Sequence, residues 1–306
     1  PALLQHLFER IRDAVDEAQL DRFLGGQVEE LSARQDHAQR RKTVFQAATL
    51  AERPAELPDL NFGHLELMTD GTGMLQHSTF NVPRYDDGYC LDDNARALLL
   101  MALVDDARTK DSGTVSRLTL RYLAFVNHAF NAEHGCFRNF MSYERQWTEE
   151  CGSEDAHGRA VWALGTVVGR AGDPKKRSLG GQLFHAALAR VSCFTSPRAW
   201  AFALLGIDEY LRAFQGDSNV QSVRRALAQR LYELFQQSSA SEWPWFEDRL
   251  AYSNARLSQA LIVSGHWMEH REMIGAGLRG AGRPGLGRGC WGAKRDALHH
   301  GRRRGD

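Results

Sequence analysis

Apolar residues recur at helical spacing along most of the chain. Residues 3–22 place leucine, isoleucine and valine mostly three to five positions apart, with charged residues between them. Such spacing gives a helix one apolar face. The pattern continues more weakly over residues 27–51 and returns at Asp92. It predicts helices at 92–105, 113–130, 156–170, 177–191, 198–214, 219–237, 254–265 and 267–279.

Residues 51–90 interrupt this helical pattern. They contain Pro54, Pro58 and Pro83 together with several glycines, residues that end helices rather than extend them. We predict an irregular connection with short strands here, and two further long loops at 130–155 and 238–253. Strand-like alternation is scarce elsewhere, so the predicted fold class is all-α.

Four of the predicted helices begin in a similar way. They start with the segments "DDNARALLLMALV", "EDAHGRAVWALGTVV", "SPRAWAFALLGIDEY" and "SNARLSQALIVSG". Polar residues come first, and the helix then becomes apolar on nearly all sides, which is typical of a buried helix. The helices between them are amphipathic and therefore half exposed. This alternation predicts an (α/α) toroid of helical hairpins, in which the polar N-termini of the inner helices meet at one rim.

Composition is that of an ordinary globular protein. Apolar residues make up 43% and charged residues 25% of the 306 residues, and the formal net charge is zero. From Arg279 onwards, however, eight Lys and Arg face two Asp and Glu, so the preceding body is mildly acidic. An acidic body argues against a nucleic-acid partner, which requires a basic face.

No secretory signal or membrane span is predicted, because the first 20 residues are charged and no apolar run approaches a span's length. The five cysteines are scattered and form no CxxC pair. We therefore expect neither a zinc site nor a disulfide framework, but free thiols in a reducing cytoplasm. No metal or cofactor is predicted.

Acidic residues precede two of the buried helices. Asp92 and Asp93 follow Asp86 and Asp87 closely, and Asp155 lies in "CGSEDAHGRA". One interpretation is structural: Asp93 would be an N-cap, and Asp92–Arg96 and Asp155–Arg159 would be i,i+4 ion pairs. The alternative is that these acids are two carboxylate walls of a cleft.

The loop "EWPWFEDRLAYSNARL", residues 242–257, combines aromatic and acidic side chains. Core packing could use one or two of these aromatics, but a proline-interrupted loop with several of them favours stacking against sugar rings. "GCFRNFMSYERQW", residues 135–147, is similar and predicts a glycine-led hairpin. Two GxGxxG matches, at 275–280 and 280–285, follow no strand and are interpreted as chance matches.

The segments "GHLELMTDGTGMLQHSTFNVPRYDDGYCLDDNARALLLMALV", "SEDAHGRAVWALG" and "WPWFEDRLAYSNARLSQALIVSG" resemble a bacterial family of (α/α)-toroid proteins, the six-hairpin glycosidase-like type. The resemblance covers residues 62–279. Members of this family are often found beside, or fused behind, GT-B-type glycosyltransferases. The resemblance therefore implies a carbohydrate-active protein and a glycosyltransferase as a possible partner.

Two features depart from the family pattern. Ser253 stands where such sequences usually have an aspartate, in YDNARL, which removes one candidate carboxylate. Residues 275–306 are rich in glycine and arginine and have no helical period, where the family continues with further hairpins. We interpret this tail as out-of-frame or truncated, which would leave the toroid incomplete at its C-terminus. The rival interpretation is a basic tail for anionic partners.

The sequence thus predicts an N-terminal helical segment at 1–61, a toroid domain at 62–279 and an irregular tail at 280–306. The favoured function is glycoside hydrolysis of an oligosaccharide by a cytoplasmic protein with a pair of carboxylates. The alternatives are a non-catalytic module that binds sugar or protein and supports a glycosyltransferase, and a sugar epimerase using His77, His134 or His157. Predicted catalytic residues are Asp92, Asp93, Glu154 and Glu247, and predicted substrate-binding residues are Asp86, Asp87, Tyr89, Asn94, Arg96, Asp155, His157, Arg159, Trp243, Trp245, Tyr252 and Asn254.

Overall fold

A computed structural model describes residues 60–106 and 111–282 of the chain. The predictions for residues 1–59 and for the tail from residue 283 lie outside these residues. All the elements described belong to the unit that begins at Gly63. The helices are α1 Gly63–Leu67, α2 Leu91–Asp106, α3 Ser112–Ala129, α4 Glu154–Arg170, α5 Pro174–Val191, α6 Pro197–Ala213, α7 Ser218–Ser238, α8 Asn254–Trp267 and α9 Arg271–Ala281. The strands are β1 Ser78–Thr79, β2 Val82–Pro83, β3 Tyr89–Cys90, β4 Phe130–Asn131, β5 Cys136–Phe137 and β6 Phe140–Met141.

The all-α prediction is confirmed for the described residues. The eight helices predicted from Asp92 onwards all form, with ends within a few residues of the expected ones. The sequence also supplies their caps: the side chains of Asp111, Ser153, Asp173, Ser196 and Asp217 each accept a bond from a backbone N–H in the first turn of the helix that follows. The helix α1 was not predicted. No described helix has the length and hydropathy needed to cross a membrane.

The helices form two adjoining rows. Helices α2, α4, α6 and α8 pack side by side in that order, and each also packs against the helix that follows it in the chain. Gly180 of α5 lies against Val167 of α4, near the turn that joins the two helices, so this pair is antiparallel. The buried-helix prediction is confirmed most fully for α6, in which nearly every residue from Arg198 to Leu211 is buried; α2 is less completely buried, since Leu100 is 39% exposed.

A close contact joins the backbones of α4 and α6. A Cβ on Gly165 would overlap the carbonyl oxygen of Gly206, and one on Gly206 would lie 2.5 Å from the Val161 oxygen. Gly158 approaches the Ala199 carbonyl in the same way, with a Cβ-to-oxygen distance of 2.9 Å. Residue numbers rise together along both helices from one contact to the next. The two helices are therefore parallel, and their N-termini lie at the same end.

An ion pair ties the other ends of these two helices together. Arg170, the last residue of α4, donates from Nε and Nη2 to the two carboxylate oxygens of Glu209 in α6, at 2.7 and 2.8 Å. Both side chains are largely buried. A bidentate guanidinium–carboxylate pair of this kind fixes geometry as well as adding stability.

The long loops contain the short strands. β1 pairs with β2, β4 with β5, and β3 with β6, all antiparallel. The expectation of free thiols is wrong at two positions, because Cys136 and Cys151 form a disulfide. The loop after β5 returns past this strand, where Gly152 N donates to Phe137 O, and this brings together two cysteines separated by 15 residues. A disulfide is typical of oxidising compartments, so the thiol argument for a cytoplasmic protein no longer holds.

The α4–α6 contact can be tested with Gly165→Ala. The new methyl group would meet backbone atoms that cannot move independently, and we expect a loss of about 3 kcal/mol in the free energy of unfolding. Gly181→Ala in α5 is a matched control, since its Cβ would lie 3.9 Å from Val168, and it should gain up to about 1 kcal/mol. Urea denaturation of both variants measures the difference, and equal stabilities would contradict this account of the contact.

Candidate functional site

The N-terminal ends of α2, α4, α6 and α8 lie beside one another and carry a network of charged side chains. We call this surface the N-terminal rim. Arg159 of α4 pairs with Asp92 of α2, and Asp155 of α4 accepts a hydrogen bond from Ser196, the N-cap of α6. Arg198 of α6 donates to Asn254, the first residue of α8. The sequence prediction that these polar N-termini converge is therefore confirmed for the described helices.

The α2 end of the rim carries three of the predicted residues. Arg96 donates to Asp92 at 2.7 Å, which confirms the predicted i,i+4 pair, and also to Asp93. Asp93 accepts from the Cys90 thiol at 3.0 Å. The prediction that Asp93 is an N-cap is wrong, because α2 begins two residues earlier, at Leu91. Both aspartates therefore lie in the first helical turn, near the positive end of the helix dipole.

Arg159 makes a contact between helices instead of the one predicted within its own helix. Its Nε lies 2.6 Å from Asp92 Oδ1, and its guanidinium lies 4.2 Å from the centre of the Phe202 ring. The expected Asp155–Arg159 pair is replaced by bonds to Asp155 from Ser196 Oγ, at 2.9 Å, and from the Tyr252 hydroxyl. Close packing of α2 against α4 brings Asp92 within reach of Arg159, and spacing along one helix cannot reveal such a contact.

The Asp92 carboxyl group lies among several groups that shift its pKa. Desolvation raises the pKa of its carboxyl group above the usual range, while Arg159 and Arg96 act in the opposite direction. The negative charges of Asp93 and Asp155 add to the increase. Raised carboxyl pKa values are found at sites of proton transfer as well as in structural networks.

Arg198 organises the loop that precedes α8. This side chain is buried and donates to the carbonyl oxygen of Tyr252 at 2.6 Å, to Glu247 at 2.8 Å and to Asn254 at 3.2 Å. Its guanidinium also lies 4.8 Å from the centre of the Tyr252 ring. Glu247, predicted to be catalytic, therefore neutralises a buried arginine, and Asn254, predicted to bind substrate, closes the same loop.

Glu154 and Asn94 also have structural roles instead of the predicted ones. The Glu154 carboxylate accepts bonds from the backbone N–H groups of Thr195 and Ser196, both at 2.7 Å, at the entry to α6. Asn94 is fully buried, where it donates to Cys90 O and exchanges hydrogen bonds with the backbone of Met74. Asn94 is therefore closed to a ligand, and the Glu154 carboxylate holds the entry to α6.

Three more predicted substrate-binding residues lie in the core. Trp245 and Tyr89 are buried, with 0% and 1% of their surface exposed, and Tyr89 donates its hydroxyl to Asp70 at 2.6 Å. His157 is also buried; its ring lies against Phe137 and Phe194, and its Nε2 lies 2.9 Å from Ala187 O. Their rings pack against the protein itself and are not exposed for the predicted contact with a substrate.

The remaining predicted residues lie near the surface. Asp86 and Asp87 belong to a 3₁₀ turn, Tyr85–Asp87, in which Asp86 is exposed and Asp87 pairs with Arg84 at 3.1 Å. Trp243 is half-buried and donates to Glu247 O. Of the histidines considered for an epimerase, His77 contacts Asp87 and His134 contacts Asn131.

Several surface residues near the rim were not predicted. Tyr85 and Tyr143 are exposed, with ring centres 4.9 Å apart, and Tyr143 stacks on the Tyr89 ring next to the start of α2. On α8, the Arg256 guanidinium lies 4.8 Å from the centre of the Trp162 ring. The sequence does mark Arg198, which is the one charged residue in the apolar run "PRAWAFALLGI". It does not mark the pairing of Tyr85 with Tyr143, because these two residues come from distant segments of the chain.

No protein-family model matches the chain, and the search of curated proteins returned no significant match. Among the described residues, no group of three or more His, Cys, Asp and Glu is arranged to hold a metal ion. The geometry of the N-terminal rim is therefore the basis for the functional proposal.

The burial of His157 predicts a specific pH dependence of stability. Desolvation lowers its pKa to about 4 from 6.5, so the unfolded chain binds the proton first as the pH falls. The contribution of neutral His157 is complete above pH ~6.5 and is lost towards pH ~4. We expect about 2 kcal/mol of the free energy of unfolding to be lost through this group between pH 7.5 and 5.

The measurement compares urea denaturation of the parent protein and of His157→Gln at the two pH values. The variant should lose about 2 kcal/mol less between them than the parent does. His64→Gln is the matched control, because His64 is exposed, and it should follow the parent. A variant at position 157 whose stability falls as much as the parent's would show that this histidine does not titrate as described.

Proposed function

We propose that the chain is a carbohydrate-active protein of the six-hairpin glycosidase-like type that acts on an oligosaccharide at the N-terminal rim. The proposal rests on one observation: an exposed tyrosine is hydrogen-bonded to a carboxylate of the rim. Tyr252 is 52% exposed, and its hydroxyl donates to Asp155. Sugars bind to such surfaces because their C–H faces pack on rings while their hydroxyl groups bond to carboxylates.

The arrangement of the helices supports the (α/α)-toroid part of the proposal. The buried helices α2, α4, α6 and α8 lie in one row, and each packs against the amphipathic helix that follows it. A ring of hairpins is built from this repeating unit, with the inner helices parallel to one another. In the proposed toroid, the N-terminal rim is one mouth of the ring.

For glycoside hydrolysis, Asp92 is the proposed general acid and Asp155 the proposed second carboxylate. A general acid must retain its proton near neutral pH, and desolvation moves the pKa of Asp92 in that direction. The negative charge of Asp155 also raises the pKa of Asp92, so the two carboxylates are close enough to influence each other's ionisation. Asp155 is proposed in this role in place of Glu154 and Glu247 because its charge acts on Asp92, whereas Glu154 accepts from backbone N–H groups and Glu247 pairs with the buried Arg198.

A non-catalytic sugar-binding module, supporting a glycosyltransferase, is the second candidate. Asp92 is held by two arginines, and Asp155 by two hydroxyl groups. Carboxylate oxygens that already hold ion pairs or hydrogen bonds are better suited to binding a ligand's hydroxyl groups than to acting as a nucleophile or proton donor. In this case the rim would bind an oligosaccharide without cleaving it.

Asp92→Asn and Asp155→Asn distinguish the two candidates on a panel of oligosaccharides. If the protein is a hydrolase, both variants should lower kcat by about 10² to 10⁴, because the proton-transfer group or its partner is gone, and binding should persist. Product release by chromatography and binding by titration calorimetry are the measurements.

Asp248→Asn is the matched control, because Asp248 is exposed on the loop before α8; it should keep the activity of the parent. Circular dichroism of each variant verifies folding. Oligosaccharide binding without turnover by the parent protein would favour the binding module. If neither the parent protein nor Tyr252→Phe binds any member of the panel, both candidates are contradicted.

A further inference from the structure

A cavity lies at the end of α6 and α8 opposite to the N-terminal rim. Its volume is about 460 Å³, which is in the ordinary range of roughly 300–1,000 Å³ for small-molecule sites. The helices α6 and α8 separate it from the rim by about 20 Å along their axes. The cavity is lined by Leu211, Gln215, Gln221, Arg224, Arg225, Trp267 and Met268.

The cavity wall contains a buried arginine with an unused donor. Arg224 is only 7% exposed, and its Nε forms no hydrogen bond. Its guanidinium lies 5.8 Å from the centre of the Trp267 ring, which is itself 41% exposed. A buried guanidinium with an unpartnered donor is costly for a protein, so an anion bound beside Arg224 would offset part of that cost by stabilising its positive charge.

The charged residues that line the cavity around Arg224 are basic. Burial lowers the pKa of the Arg224 guanidinium. The Asp208 carboxylate raises this pKa, and the positive charge of Arg225 lowers it further. Arg225 also lines the cavity. Two guanidinium groups therefore line the cavity, and none of its lining residues is acidic.

We propose that this cavity binds a small planar monocarboxylate, with its carboxylate on Arg224 and Arg225 and its flat face on Trp267. A carboxylate matches the fork of the guanidinium donors, and its negative charge complements the two arginines of the cavity wall. The Gln221 side-chain amide donates from Nε2 to the backbone carbonyl oxygen of Gln215, at 2.6 Å, which fixes one side of the cavity. The inference does not depend on the proposed function, because the two sites lie at opposite ends of the same helices.

The test uses benzoate as the probe, with benzyl alcohol as its neutral counterpart and inorganic phosphate as an anion without a ring. Saturation-transfer NMR and titration calorimetry measure binding to the full chain. We expect benzoate to bind at least ten-fold more tightly than either of the other two. Equal binding of benzyl alcohol would overturn the role of the charge, and equal binding of phosphate would overturn the role of the ring.

Substitutions then locate the site. Arg224→Gln should weaken benzoate binding at least ten-fold, and Trp267→Leu several-fold. Because Arg224 is buried, Arg225→Gln provides a second variant at an exposed position, and it should also weaken binding several-fold. Arg230→Gln is the matched control on the same helix: Arg230 donates to Ser192 O and does not line the cavity. Unchanged benzoate affinity in folded Arg225→Gln and Trp267→Leu would overturn the proposal.

Discussion

The direct backbone contact between α4 and α6 is the constraint on which the other described features depend. Gly158, Gly165 and Gly206 have no side chains at the points of contact, so two helices can approach more closely than larger residues would permit. The contact also sets the register of the helices: Asp155 meets Ser196 at one end, and Arg170 meets Glu209 at the other.

Parallel helices in close contact place like ends of their dipoles together, which is unfavourable without compensation. The charged residues supply that compensation at both ends. Asp92, Glu154 and Asp155 lie in first turns, where the dipole is positive, and Arg170 lies in a last turn, where it is negative. The acidic residues of the N-terminal rim therefore serve helix packing first. Any ligand chemistry there uses groups that the fold already needs.

The sequence predicted the helices better than it predicted the partners of individual side chains. Helical periodicity and capping residues are local, and the structure reproduces them to within a few residues. The aromatic residues show the limit: Trp245 and Tyr252 lie seven positions apart in one loop, yet one is buried and the other is half exposed. Arg159 shows it again, because its partner is on another helix. The burial of these rings and the partner of Arg159 depend on which distant segments pack together, and a single sequence does not reveal that packing.

The disulfide between Cys136 and Cys151 has a consequence for the integrity of the chain. It closes a covalent ring around the loop that contains the exposed Tyr143 and Arg145, the latter in a left-handed backbone conformation. Exposed loop tips are where proteases cut most readily. A single cut inside this ring would leave both fragments covalently joined, so the helices before and after the loop would remain one molecule until the disulfide was reduced.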